Sequence, residues 1–345
     1  MKQEFNKIIG AGGIGTGMLF LTDDNKTLGR SESRLVQLSD AKDYCKLHIV
    51  FHYIATLLAP EKEVFPIGCV GADPAGEQLL LEMQQAGMNT SYVKKEATLP
   101  TTVSICLQYP DKEGCNFTAS NGAGQSVTSK YIQACLNKIG PDSQTIVAAL
   151  PEVSTESRLE LLRRGYAAGS FCALSVVAGE AEWLRKQEAL RFCDLLAVNL
   201  EEAAAIVQAN DNPPALYERL HAYAAAYNPE IRLLVTCGKD GAWIGDQTGF
   251  EHVPVLPSTP VTTTGAGDAF LGGTLAALAC GYPFRKGKSD GHFGETALSS
   301  APELGTLCAG MAVESPDSIA LQVTAEQIRQ RIKTAGWDTA AWFAQ

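Results

Sequence analysis

The sequence has no long apolar run and no excess of positive charge. No apolar stretch reaches the roughly 18 residues of a membrane-spanning helix, and the start MKQEFNK lacks the apolar core of a secretory signal. The formal net charge of −10 disfavours nucleic acid as a partner. We therefore expect a cytoplasmic protein that works without a membrane or nucleic-acid partner.

Paired cysteines are also missing. The ten cysteines are scattered, without C-x-x-C pairs and without the spacing typical of zinc sites. This pattern predicts reduced thiols and no dedicated metal site built from protein ligands alone.

What is present is an alternation of strand and helix patterns. The 345 residues, 46% of them apolar, suffice for one large α/β domain or two smaller ones. Short apolar runs that end in turn or polar residues predict buried parallel strands at 145–150, 194–199 and 232–238. A helical pattern begins at 154. We expect an α/β fold, a three-layer αβα sandwich around a mostly parallel sheet.

Two stretches break this alternation, residues 25–38 and residues 101–119. In the second stretch a D-K-E-G turn joins two segments with the period of a strand, which predicts a hairpin. We interpret both stretches as a small β lid with segments at about 18–38 and 91–120. No repeat, low-complexity tract or linker divides the chain, so we expect a single domain over residues 1–345.

The first glycine-rich segment invites a nucleotide-binding interpretation. Gly10, Gly12 and Gly15 match the G-x-G-x-x-G of a dinucleotide-binding turn, in which the glycines open a helix. Here the continuation TGMLFLTDDNKTLGRSESRLVQL contains turn residues and extended alternation instead. A nicotinamide-dependent oxidoreductase is therefore a disfavoured alternative, which an absorbance assay with NAD(P)H would reveal.

The segment VTTTGAGDAFLGGTLAALACG, residues 261–281, carries the strongest chemical signal. A G-A-G turn leads directly into a helix of small residues, so the amides of Gly265, Ala266 and Gly267 are expected at a helix N-terminus, where they form an anion hole. Asp268 follows at once and can take the proton of an attacking hydroxyl in phosphoryl transfer. The simpler alternative is a plain glycine-rich turn with Asp268 as a stabilising charge.

Part of this segment resembles a known family. Residues 263–273, TTGAGDAFLGG, resemble the signature D-T-x-G-A-G-D-x-F-x-x-G of the ribokinase/PfkB carbohydrate kinases, and the departure is at Thr262, where the family has aspartate. Further similar segments follow the family's order along the chain: IGCVGADPAGEQLLLEMQQAGMNTSYV, VNLEEA and VTCGKDGAW. The resemblance implies a ribokinase-like fold and a kinase that uses ATP and Mg²⁺.

The resemblance also implies roles for single residues around the nucleotide. Asn199 and Glu202 are expected near the phosphates and Mg²⁺, and Thr236 and Gly238 beside the nucleotide. Asn199 and Glu202 alone would be interpreted as a helix cap, and Thr236 as a strand end. Relatives use the aspartate that Thr262 replaces in a monovalent-cation site, so we expect little activation by K⁺.

By the same resemblance, the loop from residue 10 to 17 lines the acceptor pocket. Gly12 and Gly13 lie in that loop. Glu152 matches a position where some relatives bind substrate hydroxyls, and Asn121 lies where relatives carry G-A-N. We therefore expect these four residues to bind the acceptor.

Both sequence elements with which the family usually binds the hydroxyl groups of a sugar are altered. Gly15 and Thr16 stand where an aspartate is expected, and DYCKLHIVFHYIA, residues 43–55, stands where the family has G-G-x-x-x-N. The candidates that offer positive charge instead, or that follow at helical spacing, are Arg30, Arg34, Lys46, His48 and His52, although a histidine on an apolar helix is more often a core residue. Because such groups suit carboxylate or phosphate, we predict an acidic or phosphorylated sugar derivative as acceptor.

The sequence thus predicts transfer of the γ-phosphate of ATP to a hydroxyl of a sugar-like small molecule, with a homodimer through the lid as one option. Two alternatives stay open. One is a nucleoside kinase of the same fold, and the other is a non-catalytic relative that binds a metabolite.

Overall fold

The structure, a computed structural model, describes residues 4–112, 114–285 and 300–334. The strands in these ranges are β1 (Lys7–Ala11), β2 (Gly15–Leu21), β3 (Gln37–Tyr44), β4 (Glu63–Gly71), β5 (Val93–Glu96), β6 (Thr102–Gln108), β7 (Gly114–Thr118), β8 (Thr145–Ala149), β9 (Phe171–Ser175), β10 (Leu195–Asn199), β11 (Arg232–Thr236), β12 (Ala242–Asp246) and β13 (Gly249–Val253). The α-helices are α1 (Lys46–Leu58), α2 (Pro74–Gln85), α3 (Ser129–Ile139), α4 (Thr155–Ala167), α5 (Ala181–Gln187), α6 (Leu200–Val207), α7 (Pro213–Ala225), α8 (Ala266–Ala279), α9 (Ala301–Val313) and α10 (Ala325–Thr334). None of these helices is long and apolar enough to cross a membrane.

The main sheet is mostly parallel and is covered on both faces. Its order in the described residues is β13-β12-β11-β10-β9-β8-β1-β4-β5, and only the β11–β12 and β12–β13 pairs are antiparallel. Successive side chains of a strand point to opposite faces, so β1 gives Ile8 to one hydrophobic core and Ile9 to the other. Helices α1, α2, α8 and α9 cover the first core, and α3, α4, α6 and α7 cover the second. The predicted αβα sandwich is confirmed.

A smaller sheet forms the lid, with the order β3-β2-β6-β7. Its β6–β7 pair is the predicted hairpin, although Glu113 of the expected turn lies outside the described residues. The lid differs from the predicted segments at two places. Residues 22–36 form no strand, because charged side chains there bond to one another in a loop, and β5 pairs with β4 in the main sheet, where Val93 is buried in the first core.

The first glycine-rich segment connects the two sheets. Residues 12–14 lead from β1 in the main sheet to β2 in the lid, and no helix begins there, so the helix that a dinucleotide-binding turn requires is missing in this described segment. From β1 through β8, β9 and β10 to β11, every neighbouring pair of strands is parallel. The residues that follow these strands therefore lie at the same edge of the sheet. Ligands of open α/β sheets bind at this edge.

Candidate active site

The turn before α8 presents backbone N–H groups at a helix N-terminus. Gly265 has a φ of +80°, a left-handed conformation that favours glycine, and the lack of a side chain lets it pack against the Ser318 carbonyl. No side chain caps α8. The Ala266 N–H makes a 3.3 Å hydrogen bond to the Thr263 carbonyl. Gly265 and Gly267 are therefore the freer donors of the predicted anion hole.

Asp268 lies in the first turn of α8, half-buried beside these amides. Burial raises the pKa of its carboxyl to about 6, with further upward contributions from Glu202 and Asp43, while the charge of Lys46 lowers it. A carboxyl with this pKa is mostly ionised at neutral pH and yet more basic than an ordinary aspartate. Such a group is well matched to accepting a proton.

Lys46, the first residue of α1, is the cation at the centre of the predicted acidic residues. Its Nζ lies 3.5 Å from Glu202 Oε1, and its backbone N–H donates to Glu152 Oε2 at 3.0 Å. Burial lowers the pKa of its ammonium, but Asp268, Glu202 and Glu152 outweigh burial and raise it to about 12. Lys46 is therefore charged at any physiological pH and links three of the predicted site residues.

Glu152 reaches Lys46 from a strained backbone position after β8. Its φ is +72°, a left-handed conformation that is costly for a residue with a side chain. Burial raises the pKa of its carboxyl to about 7, against the lowering effect of the Lys46 N–H and charge. A Cβ on Gly13 would lie 2.6 Å from Glu152 Oε2, so Gly13 is needed for close approach. Gly12 is buried against Leu150 and α1.

Asn199 and Glu202 form the helix cap that the simpler interpretation predicted. The Asn199 N–H donates to Glu202 Oε2 and the Glu202 N–H donates to Asn199 Oδ1, both at 2.8 Å. This reciprocal pair is a capping box at the start of α6. The Lys46 contact nevertheless brings the Glu202 carboxylate to the site.

Thr236 and Gly238 follow β11 at the same edge. Thr236 is paired with Asn199 in the sheet, and its Oγ1 would lie 3.7 Å from a Cβ on Gly267. Gly238 is exposed with a φ of +57° and begins a 3₁₀ turn. Thr236 thus borders the anion-hole turn, whereas Gly238 lies further along the edge.

Asn121 is exposed in the turn that follows β7. Its side chain makes no hydrogen bond to the residues that the structure describes. The next residues approach the site through their backbone, since a Cβ on Gly124 would lie 3.0 Å from the Glu152 carbonyl. The structure therefore places the turn, but not the Asn121 side chain, against the acceptor residues.

Thr262, which stands where the family signature has aspartate, makes hydrogen bonds to uncharged groups. The Thr262 Oγ1 accepts from Gln108 Nε2 of the lid at 2.9 Å and from the Thr264 N–H at 3.2 Å, and both Thr262 and Gln108 are buried. No charged side chain takes part in these bonds.

Sequence reasoning missed Asp43, on the lid strand β3. Its buried Oδ2 accepts from Ser104 Oγ at 3.1 Å and from Cys106 Sγ at 2.9 Å. These contacts cross Gly17, where a Cβ would lie 2.7 Å from Asp43 Oδ2. Asp43 also raises the pKa of Asp268. The alternation of residues along β3 could have predicted which face of the lid sheet carries Asp43. Only the pairing of β3 with β2 and of β2 with β6 shows that this face lies toward the site.

The remaining predicted cations do not join this group. The Arg34 guanidinium bonds to Asp24 at 2.9 Å and to Glu32 at 2.5 Å within its own loop, and Arg30 is exposed. His48 is fully buried, and burial lowers the pKa of its imidazole to about 3.

The arrangement at this edge joins the backbone amides of a helix N-terminus, a carboxyl with a raised pKa and a lysine, a set of groups that suits phosphoryl transfer. The family model for "pfkB family carbohydrate kinase" matches residues 50–324. The chain belongs to this family, whose members are phosphotransferases that act on sugar hydroxyls. The predicted family and class of enzyme are confirmed.

One curated relative is similar in sequence, and two solved structures are similar in fold. The chain is 26% identical to the ribokinase of Schizosaccharomyces pombe over 239 residues, which cover 67% of this chain and 72% of the relative. The ribokinase structure from Giardia lamblia superposes with a TM-score of 0.77 at 16% identity, covering 94% of this chain and 99% of that one. The Burkholderia thailandensis nucleoside kinase, in complex with inosine, gives 0.72 at 18% identity, covering 96% and 98%.

Proposed function

We propose that this enzyme transfers the γ-phosphoryl group of ATP to a hydroxyl of a sugar-like acceptor, with Asp268 as the general base. The observation that carries the proposal is the position of Asp268 in the first helical turn, directly beside the Gly265 and Gly267 amides and in the field of Lys46. A base must reach the acceptor hydroxyl as its oxygen attacks the γ-phosphorus, and a carboxylate next to the predicted anion hole supports that role.

In the proposed reaction the acceptor hydroxyl gives its proton to the Asp268 carboxylate while its oxygen attacks the γ-phosphorus. The bond to the β,γ-bridging oxygen breaks and ADP leaves. The amides of Gly265, Ala266 and Gly267 donate hydrogen bonds to the transferring group, and the α8 dipole favours its negative charge. Thr236 borders this turn from the nucleotide side, and Gly238 follows it.

Magnesium fits the chemistry of the donor set. Mg²⁺ binds through one or two carboxylates, several waters and substrate phosphates, and it would neutralise phosphate charge when bound. Glu202 supplies the carboxylate, although the Asn199 N–H and Lys46 already bond to its two oxygens. We therefore propose that Glu202 and Asn199 hold Mg²⁺ through water molecules, and that no dedicated site exists without the nucleotide.

The acceptor that we favour is neutral. Within the described site, Lys46 faces the carboxyls of Asp268, Glu202 and Glu152, and Asp43 adds a fourth, so an acidic or phosphorylated acceptor would meet an excess of negative charge. Arg34, which the acidic acceptor required, is held by its own loop. Asp43 and Glu152 instead offer carboxylate oxygens that suit hydroxyl groups.

Assays with a panel of neutral sugars, sugar acids and sugar phosphates distinguish a neutral acceptor from an acidic or phosphorylated one. We expect Asp43→Asn to raise the KM of the best neutral sugar about tenfold and to leave the KM of ATP within about twofold, because a hydrogen bond to a charged group contributes about 1.5 kcal/mol or more. Arg34→Ala should leave both KM values unchanged. If sugar acids or sugar phosphates give the highest kcat/KM and Arg34→Ala raises their KM, the acidic acceptor is the correct one.

Two further candidate functions have specific support. A nucleoside acceptor is suggested by the likeness to the nucleoside kinase that was solved with inosine, and nucleosides belong in the same panel. A non-catalytic metabolite sensor is suggested by the two altered acceptor elements, but it gives no reason for a carboxyl with a raised pKa beside an anion site.

The base is tested by Asp268→Asn, with Asp23→Asn, at an exposed residue, as the matched control. We expect Asp268→Asn to lower kcat by about 10²- to 10⁴-fold, the usual contribution of a positioned base, and to leave the ATP dissociation constant within a few-fold. The measurements are ADP release and calorimetric binding of a non-hydrolysable ATP analogue. Equal kcat in both variants would exclude Asp268 as the base.

We also propose a single kinase domain that forms a homodimer through the lid. The outer lid face carries Met18, Ile105 and Phe117 side by side on three paired strands, and all three are exposed. Adjacent exposed apolar side chains favour a protein interface. The ten free cysteines support our proposal of a cytoplasmic location.

A further inference from the structure

A cavity of about 470 Å³ lies where α1, α2 and the segment before α10 meet, apart from the candidate active site. Its volume is that of a site for a small organic molecule. Among the residues predicted for the nucleotide or the acceptor, His52 lines it, and the predicted anion-hole, nucleotide and Glu152 positions do not. Its lining consists of His52, Ala55, Thr56, Ala59, Pro60, Glu82, Gln85, Ala86, Gly87, Leu321, Val323, Thr324 and Ala325.

Two buried polar side chains in this lining have atoms without a hydrogen-bond partner among the described residues. Glu82, 7% exposed, accepts hydrogen bonds at Oε1 from Lys42 at 3.1 Å and from Gln78 at 2.9 Å, but its Oε2 accepts none. His52, 4% exposed, has no hydrogen-bond partner at either ring nitrogen. Burial and the neighbouring Glu82 carboxylate raise the pKa of the Tyr44 hydroxyl, which places Tyr44 beside Glu82. Buried polar atoms left unpaired are costly, so a ligand that pairs them would gain affinity.

The charge around the cavity is negative. Residues from the last turns of α1 and α2 line it, and neither helix carries a basic residue in its last turn to balance the negative end of the helix dipole. The Glu82 carboxylate adds a full charge, of which Lys42 balances part from one side. The N-terminus of α10, which also borders the cavity, carries Glu326 in its first turn.

The state of His52 fits the same ligand chemistry. Burial lowers the pKa of its imidazole to about 4, against the raising effect of Glu82. The ring is therefore neutral near pH 7, and a neutral imidazole offers one nitrogen as a hydrogen-bond acceptor. Glu82 and His52 thus both accept, while the alanines, Pro60, Leu321 and Val323 provide an apolar wall.

We propose that this cavity binds a small organic ammonium ion, with its nitrogen donating to Glu82 Oε2 and to a ring nitrogen of His52 and its carbon chain against the apolar wall. An anion would be repelled by Glu82. A bare divalent metal lacks ligands, because no group of three or more metal-binding side chains occurs among the described residues. A neutral alcohol could also donate a hydrogen bond to Glu82 or His52. It lacks the positive charge of the amine, so the effect of charge on affinity distinguishes the two ligands.

The first experiment is calorimetric titration of the full-length chain with butylammonium chloride, with 1-butanol as the uncharged control of equal length and sodium chloride as the control for ionic strength. We expect the amine to bind at least tenfold more tightly than the alcohol. Glu82→Gln should weaken amine binding about 10- to 100-fold, as expected for a hydrogen bond to a charged group. Glu77→Gln, an exposed change on the same helix, should leave binding unaltered. Equal affinity for alcohol and amine would overturn the proposal.

Because Glu82→Gln removes a buried charge, variants at the exposed rim residue Gln85 provide a test that does not depend on its folding. Gln85→Glu should tighten amine binding about fivefold and Gln85→Lys should weaken it by a similar factor, the effect of unit charges about 4 Å apart in water. Neither change should alter binding of the alcohol. If the amine binds no more tightly to Gln85→Glu than to Gln85→Lys, the charge of the ligand does not contribute to binding in this cavity, and the proposal is wrong.

Discussion

Replacement of Lys46 by methionine would remove the cation that interacts with Asp268, Glu202 and Glu152 while keeping most of the volume of the side chain. Lys46 lowers the pKa of Asp268, which lies at about 6 with the ammonium in place. A cation within about 4–6 Å of a carboxylate typically lowers its pKa by about 1 to 3 units. The Lys46→Met variant should therefore have an Asp268 pKa of about 7 to 9.

The sign of the effect on activity follows from the role of the base. Asp268 must be ionised to accept a proton, so kcat/KM should fall as the pH drops through its pKa. At pH 7 the ionised fraction is about nine-tenths in the parent and about one-half to one-hundredth in Lys46→Met. Activity at pH 7 should fall by about 2- to 100-fold and should recover by about pH 10.

The assay is a pH profile of kcat/KM from pH 5 to 10 by ADP release, with Lys95→Met as the matched control on the surface. Glu152, whose pKa is about 7, titrates nearby, so a Glu152→Gln variant should be measured as well. Its acidic limb should stay near pH 6 if Asp268 is the base. An acidic limb that does not move in Lys46→Met, or a loss of activity that is equal at all pH values, would refute this reasoning.

Three further predictions concern the cation site, the glycine loop and the lid. Because the buried Thr262 makes only neutral hydrogen bonds, kcat should change by less than about twofold between K⁺ and tetramethylammonium at equal ionic strength, and strong K⁺ activation would contradict this. Gly13→Ala should lower the free energy of unfolding in urea by about 1 to 3 kcal/mol, because its Cβ would force Glu152 to move; Gly179→Ala, which meets nothing within 4 Å, should cost about 0.5 kcal/mol or less. Phe117→Asp should convert a dimer to a monomer in sedimentation experiments, and a parent chain that is already monomeric would exclude the lid interface.

The sheet and the turn before α8 could be predicted from the sequence because both depend on local patterns. The strands at 145–150, 194–199 and 232–238 are apolar runs bounded by turn residues, and each is a parallel strand within one or two residues of the expected bounds. The G-A-G-D order likewise fixes the position of Asp268 in the first turn of α8. Short-range patterns of this kind require no knowledge of tertiary contacts.

The lid and the acceptor side of the site depend on contacts between distant residues. Asp43 meets Ser104 across Gly17 only because β2 lies between β3 and β6, a register that the periodicity of a single strand does not reveal. Arg34 was predicted to face the acceptor from its charge alone, but Asp24 and Glu32 on the same loop bind it first. Lys46, by contrast, was one of several candidate cations in the sequence. Only the packing of α1 against the site shows that Lys46 is the candidate that contacts Glu202 and Glu152.

The short connections between the lid and the main sheet have a mechanical consequence. Three residues, 12–14, separate β1 from β2, and one residue separates β3 from α1, which begins at Lys46. Any rotation of the lid must therefore pivot at the glycine loop and pull on the first turn of α1. Closure over an acceptor would then shift the Lys46 ammonium relative to Asp268 and change the pKa of that carboxyl, which Lys46 lowers in the present arrangement.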